Sequence, residues 1–325
     1  DDDATGDDDD DATGDDDDVG DDDDSSGTGD ELDCAQAEVL FVPQQPTVLL
    51  LIDQSGSMTR DFDSGVSRWD SLRAALLDTP DGIVPQLELA VRFGLAMYTS
   101  FDGNDGGTCP VLTEVPAKLS NFFDIREAFD DADPEDETPT GEALAAVAQS
   151  LGVDSTPGDK VIVLATDGAP DTCEAPQAEA GQAVAVAAVT DAHNAGITTF
   201  IISVGDEIGD VHLQEMANAG QGVPEGEPDA AFYKATDSGA LVGAFEEIVN
   251  GLRECVFELD RPVEPGFEHT GLVAIGTDQL VKDDPDGWVL VGDSHVELVG
   301  DACKTIQEGE VLISVEFDCE HITPK

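Results

Sequence analysis

The sequence predicts an α/β protein with a doubly wound, mostly parallel sheet, a small all-β appendage behind it and a disordered acidic tail in front. Between Val39 and about Glu254, short apolar runs alternate with longer amphipathic stretches, which is typical of a parallel sheet covered by helices. Two of the runs, Thr47–Ile52 and Lys160–Ala165, are apolar almost throughout, as a strand buried on both faces requires. The predicted domains are a tether at 1–33, an α/β domain at 34–254 and a β-rich domain at 255–325.

Residues 1–33 consist of blocks of Asp separated by small residues. With one Val and one Leu, this segment has nothing to form a core, and its like charges extend the chain. Asp-x-Asp-x-x-Gly recurs there, which leaves a calcium-binding array open, but no EF-hand register has Glu at its twelfth position. We therefore expect a solvated tether.

The α/β domain has four predicted strands and six predicted helices. The strands are Thr47–Ile52, Leu89–Tyr98, Lys160–Ala165 and Ile197–Val204. The helices are Arg68–Asp78, Asn121–Asp131, Gly141–Leu151, Pro176–Ala195, Val211–Ala219 and Ser238–Arg253. Sheets of this kind bind ligands at the carboxyl ends of their strands, so the loops after Ile52, Tyr98 and Ala165 are where a site is expected.

The last 71 residues differ in character. Val289–Val291, Val296–Val299 and Val311–Phe317 are β-branched segments separated by turn signals. A unit this small has little core, so we expect disulfides to stabilise it.

The charge is strongly negative: 73 acidic residues against 13 Lys and Arg give a formal net charge of −60. Such a surface repels phosphate backbones and anionic lipids, so nucleic-acid binding and electrostatic membrane docking are not expected. The longest apolar run, Thr47–Ile52, is far shorter than the roughly 20 residues that cross a bilayer.

The sequence has six cysteines, an even number, and no two of them form a Cys-x-x-Cys motif. Disulfides, and hence an oxidising compartment, are the simplest interpretation, while six reduced thiols in a cytosolic protein remain the alternative. The chain begins at Asp1 without an initiator Met or an apolar signal region, so we expect a processed product.

Three oxygen-bearing side chains follow the first buried strand, in the sequence Asp53-Gln-Ser55-Gly-Ser57. Their alternation in a tight loop aims them at one point, and carboxylate and hydroxyl oxygens suit a hard divalent cation. One loop cannot complete the coordination. Further candidates are Thr138 or Thr140 in the turn TPTG, and Asp167 at the end of VIVLATD.

This set resembles the von Willebrand factor A domain family and its metal-ion-dependent adhesion site. The resemblance covers roughly residues 45–254 and includes the TPTGEAL and TDG contexts. It implies that Mg²⁺, or Mn²⁺ or Ca²⁺ at the same site, is held by a set of five residues, with Thr138 preferred over Thr140. These residues are Asp53, Ser55, Ser57, Thr138 and Asp167.

The resemblance also implies a function. Because few anionic ligands would contact the ion, it could accept a Glu or Asp from a protein partner, so an extracellular adhesion or protein-binding module is expected. A structural component of a surface complex, using the same site, is the alternative. The overall layout is similar to exported bacterial lipoproteins of the myxobacterial kind, which implies a cell-surface or outer-membrane location and a lipid anchor upstream of Asp1.

Two loops should border the site. One contains Asp102 and Asn104, the other contains Asp171, and a Cys109–Cys173 disulfide would join them. The loop at Asp102 nearly matches the opening of a calcium loop, but Thr113 stands where the bidentate Glu is needed. For the other cysteines we expect Cys34–Cys255 and Cys303–Cys319.

Enzyme motifs are missing from the sequence: there is no GxSxG elbow, P-loop or GxGxxG fingerprint. Asp53 with Asp167 could suggest a Mg²⁺-dependent phosphatase, but that class has a second acid two residues on, where Ser55 stands. We therefore expect a protein that is not an enzyme.

Overall fold

The computed structural model describes residues 37–41, 45–101, 107–135, 137–175, 181–224, 226–252, 255–259, 261–263, 266, 268–307 and 311–317. The predicted tether at 1–33 lies outside these residues. The strands in chain order are β1 (Ala37–Phe41), β2 (Thr47–Asp53), β3 (Asp61–Asp63), β4 (Val66–Ser67), β5 (Arg92–Phe101), β6 (Thr108–Lys118), β7 (Lys160–Thr166), β8 (Ile197–Val204), β9 (Tyr233–Ala235), β10 (Val256–Glu258), β11 (Leu272–Ile275), β12 (Asp278–Leu280), β13 (Trp288–Val291), β14 (His295–Leu298) and β15 (Val311–Glu316). The helices are α1 (Arg68–Leu77), α2 (Ile83–Leu87), α3 (Phe122–Asp130), α4 (Thr140–Gly152), α5 (Gln182–Asn194), α6 (Asp210–Gly220), α7 (Ser238–Gly251) and α8 (Gly300–Gln307).

A six-stranded sheet in the order β6-β5-β2-β7-β8-β9 forms the centre of the α/β part. Its neighbouring strands are parallel except for β5 and β6. The predicted doubly wound α/β fold is confirmed. Because β2 and β7 are adjacent and parallel, the loops that follow them meet at one edge of the sheet.

The central strand β2 is buried along its whole length, which explains why its sequence is apolar rather than alternating. Val48, Leu50 and Ile52 point to a core shared with α1, α3 and α7. Leu49 and Leu51 point to the opposite face, where α4, α5 and α6 pack. Helices therefore cover the sheet on both sides.

Some element bounds differ from the prediction. The predicted strand Leu89–Tyr98 is found at Arg92–Phe101, because the backbone turns back onto Leu87 before Arg92 and leaves Leu89 largely exposed. The sequence analysis overlooked β6, an antiparallel edge strand. Its Pro110 and Pro116 argue against an interior strand but are tolerated at an edge, where no neighbour needs their missing N–H groups.

The region after Cys255 is β-rich, as predicted. It forms the antiparallel sheet β10-β14-β13 and, together with β1 from before the α/β part, the antiparallel sheet β1-β15-β11-β12. The buried Trp288 packs edge-on against Phe317 between them, with ring centroids 6.1 Å apart. The structure adds one helix, α8, whose Ala302 and Ile306 are buried one turn apart in the same core.

Cys255 and Cys303 form a disulfide, with Cα atoms 5.4 Å apart. The predicted pairings Cys34–Cys255 and Cys303–Cys319 are therefore wrong. The physical reason is that β14 pairs with β10 and runs almost directly into α8, which brings Cys303 beside Cys255. Cys34 and Cys319 themselves lie outside the described residues.

Strand β1 lies in the C-terminal sheet, where all five of its residues pair with β15. The strand before the α/β part and the strand at the end of the described chain are thus neighbours. The predicted boundaries at 34 and 254 stay predictions.

None of the helices in the described part of the chain is long and apolar enough to cross a lipid bilayer.

Candidate metal centre

The first loop of the candidate site begins at Asp53, the last residue of β2. Asp53 is fully buried, and its Oδ1 accepts a hydrogen bond of 2.8 Å from the backbone N–H of Ser55. Its Oδ2 accepts a hydrogen bond of 2.7 Å from Thr166 Oγ1, at the end of the neighbouring strand β7. Both carboxylate oxygens are therefore held in place, one by the loop and one by the sheet.

The hydroxyl groups of Ser55 and Ser57 lie side by side, with their Oγ atoms 3.0 Å apart. Ser57 Oγ also donates a hydrogen bond of 2.6 Å to Asp167 Oδ1. Asp167 comes directly after β7, so this contact joins two loops that are 110 residues apart in sequence. Four of the five predicted ligands thus form one connected group.

Thr138, the fifth predicted ligand, lies across Gly168 from this group. A Cβ atom built on Gly168 would be 3.7 Å from Ser57 Oγ and 3.7 Å from Thr138 Oγ1. Both hydroxyl groups therefore face the same small space, which the missing side chain of Gly168 leaves open. The alternative, Thr140, turns its hydroxyl to Tyr98 instead, with an oxygen–oxygen distance of 3.0 Å.

The backbone of Thr138 is clamped by Asp171, one of the predicted rim residues. Thr138 N–H donates to Asp171 Oδ2 at 3.2 Å, and Asp171 N–H donates to Thr138 O at 3.0 Å. Burial, followed by the nearby carboxylates of Glu137 and Glu142, raises the pKa of Asp171 to about 7. Asp171 therefore fixes the position of Thr138 rather than facing the predicted site itself. The other predicted rim residues, Asp102 and Asn104, lie outside the described residues.

The predicted Cys109–Cys173 disulfide is confirmed, with Cα atoms 5.4 Å apart. It ties the start of β6 to the loop that carries Asp171. Cys173 N–H also donates a hydrogen bond of 3.0 Å to Glu142 Oε1 on α4. The loop beside Thr138 is thus attached to the edge of the sheet and to a helix.

Two fully buried carboxylates in one small site repel each other. Burial, and then the charge of Asp167, raises the pKa of Asp53 to about 6. Asp167 in turn receives a hydrogen bond of 2.6 Å from Arg68 Nη1, and Arg68 Nη2 donates to Glu207 Oε1 at 2.9 Å. Arg68 was not found from the sequence, because nothing near it in the chain marks it as a partner of Asp167.

The residues present fit a hard divalent cation. They supply two carboxylates and three hydroxyl groups, all oxygen donors, and the charge of Asp53 is repelled by its neighbour. Within the described ranges, no group of three or more His, Cys, Asp or Glu is placed to hold a metal ion. A cation at this position would depend on the hydroxyl groups as well as the acids.

Several solved structures are similar to this chain. The pilus adhesin SpaC from Lactobacillus rhamnosus GG, in an open conformation, aligns with 15% identity over 87% of this chain and 40% of that one, at a TM-score of 0.49. The PilB minor pilin from Streptococcus sanguinis aligns with 16% identity over 65% of this chain and 62% of the pilin chain, at a TM-score of 0.50. Proximal thread matrix protein 1 from the mussel byssus, with a zinc-occupied MIDAS motif, aligns with 15% identity over 70% of this chain and 52% of the matrix protein chain, at a TM-score of 0.42.

The chain spans only about two fifths of the length of the pilus adhesin, and these likenesses concern the fold alone. The comparison with curated protein sequences gave no match. The family model of the von Willebrand factor type A domain matches residues 47–247, which is more than half of the chain. The chain therefore belongs to the von Willebrand factor type A domain family.

Proposed function

We propose that this protein is a metal-dependent binding module that holds a protein partner through an acidic side chain. The observation that carries this proposal is the meeting of Asp53, Ser55, Ser57 and Asp167 in one hydrogen-bonded group, with Thr138 facing it across Gly168. Asp53, Ser55, Ser57, Thr138 and Asp167 would hold the cation. A bound Mg²⁺ would supply positive charge and a coordination position that a Glu or Asp of the partner can take.

Mg²⁺ is the cation we propose, with Mn²⁺ or Ca²⁺ as substitutes at the same site. The donors are hydroxyl and carboxylate oxygens, which hard cations prefer, and the site offers no Cys or His to favour softer metals. Only two of the five donors are carboxylates, and one of them, Asp167, also shares its charge with Arg68, so the residues compensate only part of the ion's charge. This is the condition under which a further carboxylate from outside is attracted.

An extracellular or cell-surface location is part of the same proposal. Its support is the pair of disulfides Cys109–Cys173 and Cys255–Cys303, which form and persist in oxidising compartments. An outer-membrane lipid anchor remains an expectation from the sequence. We further propose that the module is not an enzyme, because Asp167, the carboxylate that accepts the hydrogen bond of Ser57, is also paired with Arg68, which makes it a weak base for activating a hydroxyl.

The experiment is a pull-down of native surface proteins on the immobilised full chain, in Mg²⁺ and in EDTA. We expect partners to be retained only in Mg²⁺ and to be lost with Asp53→Ala. The exposed Asp124→Ala, on α3, is the matched control and should retain them. Calorimetric titration of the wild type with Mg²⁺ establishes whether the cation binds without a partner.

Retention that survives both EDTA and Asp53→Ala would contradict the proposal. If the retained partner were another subunit of one surface assembly, copurification at fixed stoichiometry would identify the structural alternative. Mg²⁺-dependent turnover of a model phosphoester, lost with Asp53→Ala, would favour the enzymatic alternative.

A further inference from the structure

Arg68 occupies an unusual position for a basic residue. It is buried at the first position of α1, and its guanidinium contacts the fully buried carboxylate of Asp167. Among the described residues, no other basic side chain forms an ion pair with Asp53 or Asp167. Asp167 therefore has a buried counter-ion, and Asp53 has no ion-pair partner among these residues.

The surroundings of Arg68 are shaped to hold it there. Gly205 has a φ of +113°, and a Cβ on it would lie 3.1 Å from Arg68 Nη2. Ser67 caps α1 through a hydrogen bond from Asp70 N–H, which fixes the start of the helix. On its other side the guanidinium bonds to Glu207, which also pairs with the exposed Arg60. These contacts leave the guanidinium little freedom to turn away from Asp167.

Burying Arg68 is costly, since its Nε has no hydrogen-bond partner among the described residues. A buried charge persists only where another charge compensates it. Here the compensation comes from Glu207 and from the same carboxylate that is proposed to hold the cation. Asp167 offers Oδ1 to Ser57 and Oδ2 to Arg68, so its charge is already partly neutralised.

We propose that Arg68 is a built-in counter-ion that competes with the cation for the charge of Asp167. It stabilises the metal-free site, lowers the affinity for the cation, and leaves more of the bound ion's positive charge to attract a partner's carboxylate. Arg68 is thus a positioning residue that acts through Asp167. This inference rests on the proposed function, because it assigns a role toward the same cation.

The test compares Arg68→Met and Arg68→Lys in the full chain. We expect Arg68→Met to lower the unfolding temperature in EDTA and to bind Mg²⁺ at least tenfold more tightly by calorimetry, so that Mg²⁺ stabilises it more than it stabilises the wild type. Arg68→Lys keeps the charge and should restore an affinity within about threefold of the wild type. Arg73→Met is the matched control. Arg73 lies on the same helix but pairs with the exposed Asp130, so its removal should leave the Mg²⁺ affinity unchanged.

A second variant does not depend on the folding of Arg68→Met. Glu207→Gln removes the second carboxylate that pairs with Arg68, so the positive charge of Arg68 is compensated by Asp167 alone. This variant should weaken Mg²⁺ binding several-fold. A folded Arg68→Met that binds Mg²⁺ no more tightly than the wild type, or a Glu207→Gln with unchanged affinity, would overturn the inference while leaving the proposed function intact. A wild type that binds no divalent cation would instead overturn the proposed function.

Discussion

Thr138 and Thr140 lie two residues apart, but their hydroxyl groups have different surroundings. Thr138 Oγ1 faces the space beside Gly168 that Ser57 also faces. Thr140 Oγ1 lies 3.0 Å from the hydroxyl of the fully buried Tyr98, in the core beneath the site. Thr138 therefore faces the proposed cation position, and Thr140 hydrogen-bonds with a buried phenol.

Replacing each threonine by the isosteric valine separates these roles. Thr138→Val should weaken Mg²⁺ binding about tenfold or more and change the unfolding temperature little. Thr140→Val should remove one hydrogen-bond partner of the buried Tyr98 hydroxyl and reduce the free energy of unfolding by about 1–2 kcal/mol. Calorimetry with Mg²⁺ and urea denaturation measure the two effects. The reverse pattern would assign the ligand role to Thr140.

Gly205 is a second residue whose role follows from local geometry. Its φ of +113° is unfavourable for any residue with a side chain, and an added Cβ would crowd Arg68. Gly205→Ala should therefore cost about 1–3 kcal/mol of stability. Gly243→Ala, at an exposed position of α7 with open space around it, should instead stabilise the protein by about 0.5–1 kcal/mol. Urea denaturation of both variants checks the opposite signs, and equal effects would contradict this explanation.

At the scale of elements, the loop after β7 owes its position to two attachments. Asp171 holds the backbone of Thr138 at two points, through its carboxylate and through its own N–H, and Cys173 is bonded to Cys109 at the start of β6. This disulfide joins residues 64 positions apart, which restricts the unfolded chain considerably. The same bond therefore stabilises the fold and keeps Thr138 near the other proposed ligands.

Removing the disulfide with Cys109→Ser/Cys173→Ser should lower the free energy of unfolding by about 4 kcal/mol. It should also weaken Mg²⁺ binding, because the clamp on Thr138 loses its anchor. The matched control is Cys255→Ser/Cys303→Ser, which removes a disulfide of similar span from the C-terminal region. This control should destabilise that region without changing Mg²⁺ affinity. Equal loss of affinity in both double variants would show that the effect on the site is indirect.

The sequence predicted those elements whose burial is uniform. A strand buried on both faces, such as β2, must be apolar throughout, so its position could be located closely. The edge strand β6 carries two prolines and a mixed pattern of exposure, so it could not be separated from a loop. The helix α8 is only eight residues long, carries Cys303 of the Cys255–Cys303 disulfide and buries only Ala302 and Ile306, a pattern too short for periodicity to detect.

The residues of the candidate site also divide into those that could be predicted from the sequence and those that could not. Asp53, Ser55 and Ser57 belong to one short motif, so their proximity could be predicted, and the assignment of all five ligands stays a prediction that the geometry supports. Thr166 and Arg68 could not be predicted, because each contacts the site only through the fold. Their partners, Asp53 and Asp167, lie 113 and 99 residues away along the chain.

At the scale of the whole molecule, the net charge of −60 opposes the approach of an acidic partner. Repulsion acts over the Debye length, whereas coordination acts at contact, so added salt should remove the barrier before it weakens the bond. We expect the association rate of the partner retained in Mg²⁺ to rise when ionic strength increases from about 20 to about 150 mM. Stopped-flow or surface-based kinetics measure this rate. A steep fall would show that the partner presents a basic face.

The pairing of β1 with β15 has a mechanical consequence. Tension arriving from the residues before Ala37 enters β1 at one end and leaves toward the α/β part at the other. It therefore pulls β1 lengthwise past β15, which loads their hydrogen bonds together, whereas peeling would break them one at a time. A pull applied upstream of Ala37 would thus be resisted by all five of these residue pairs at once.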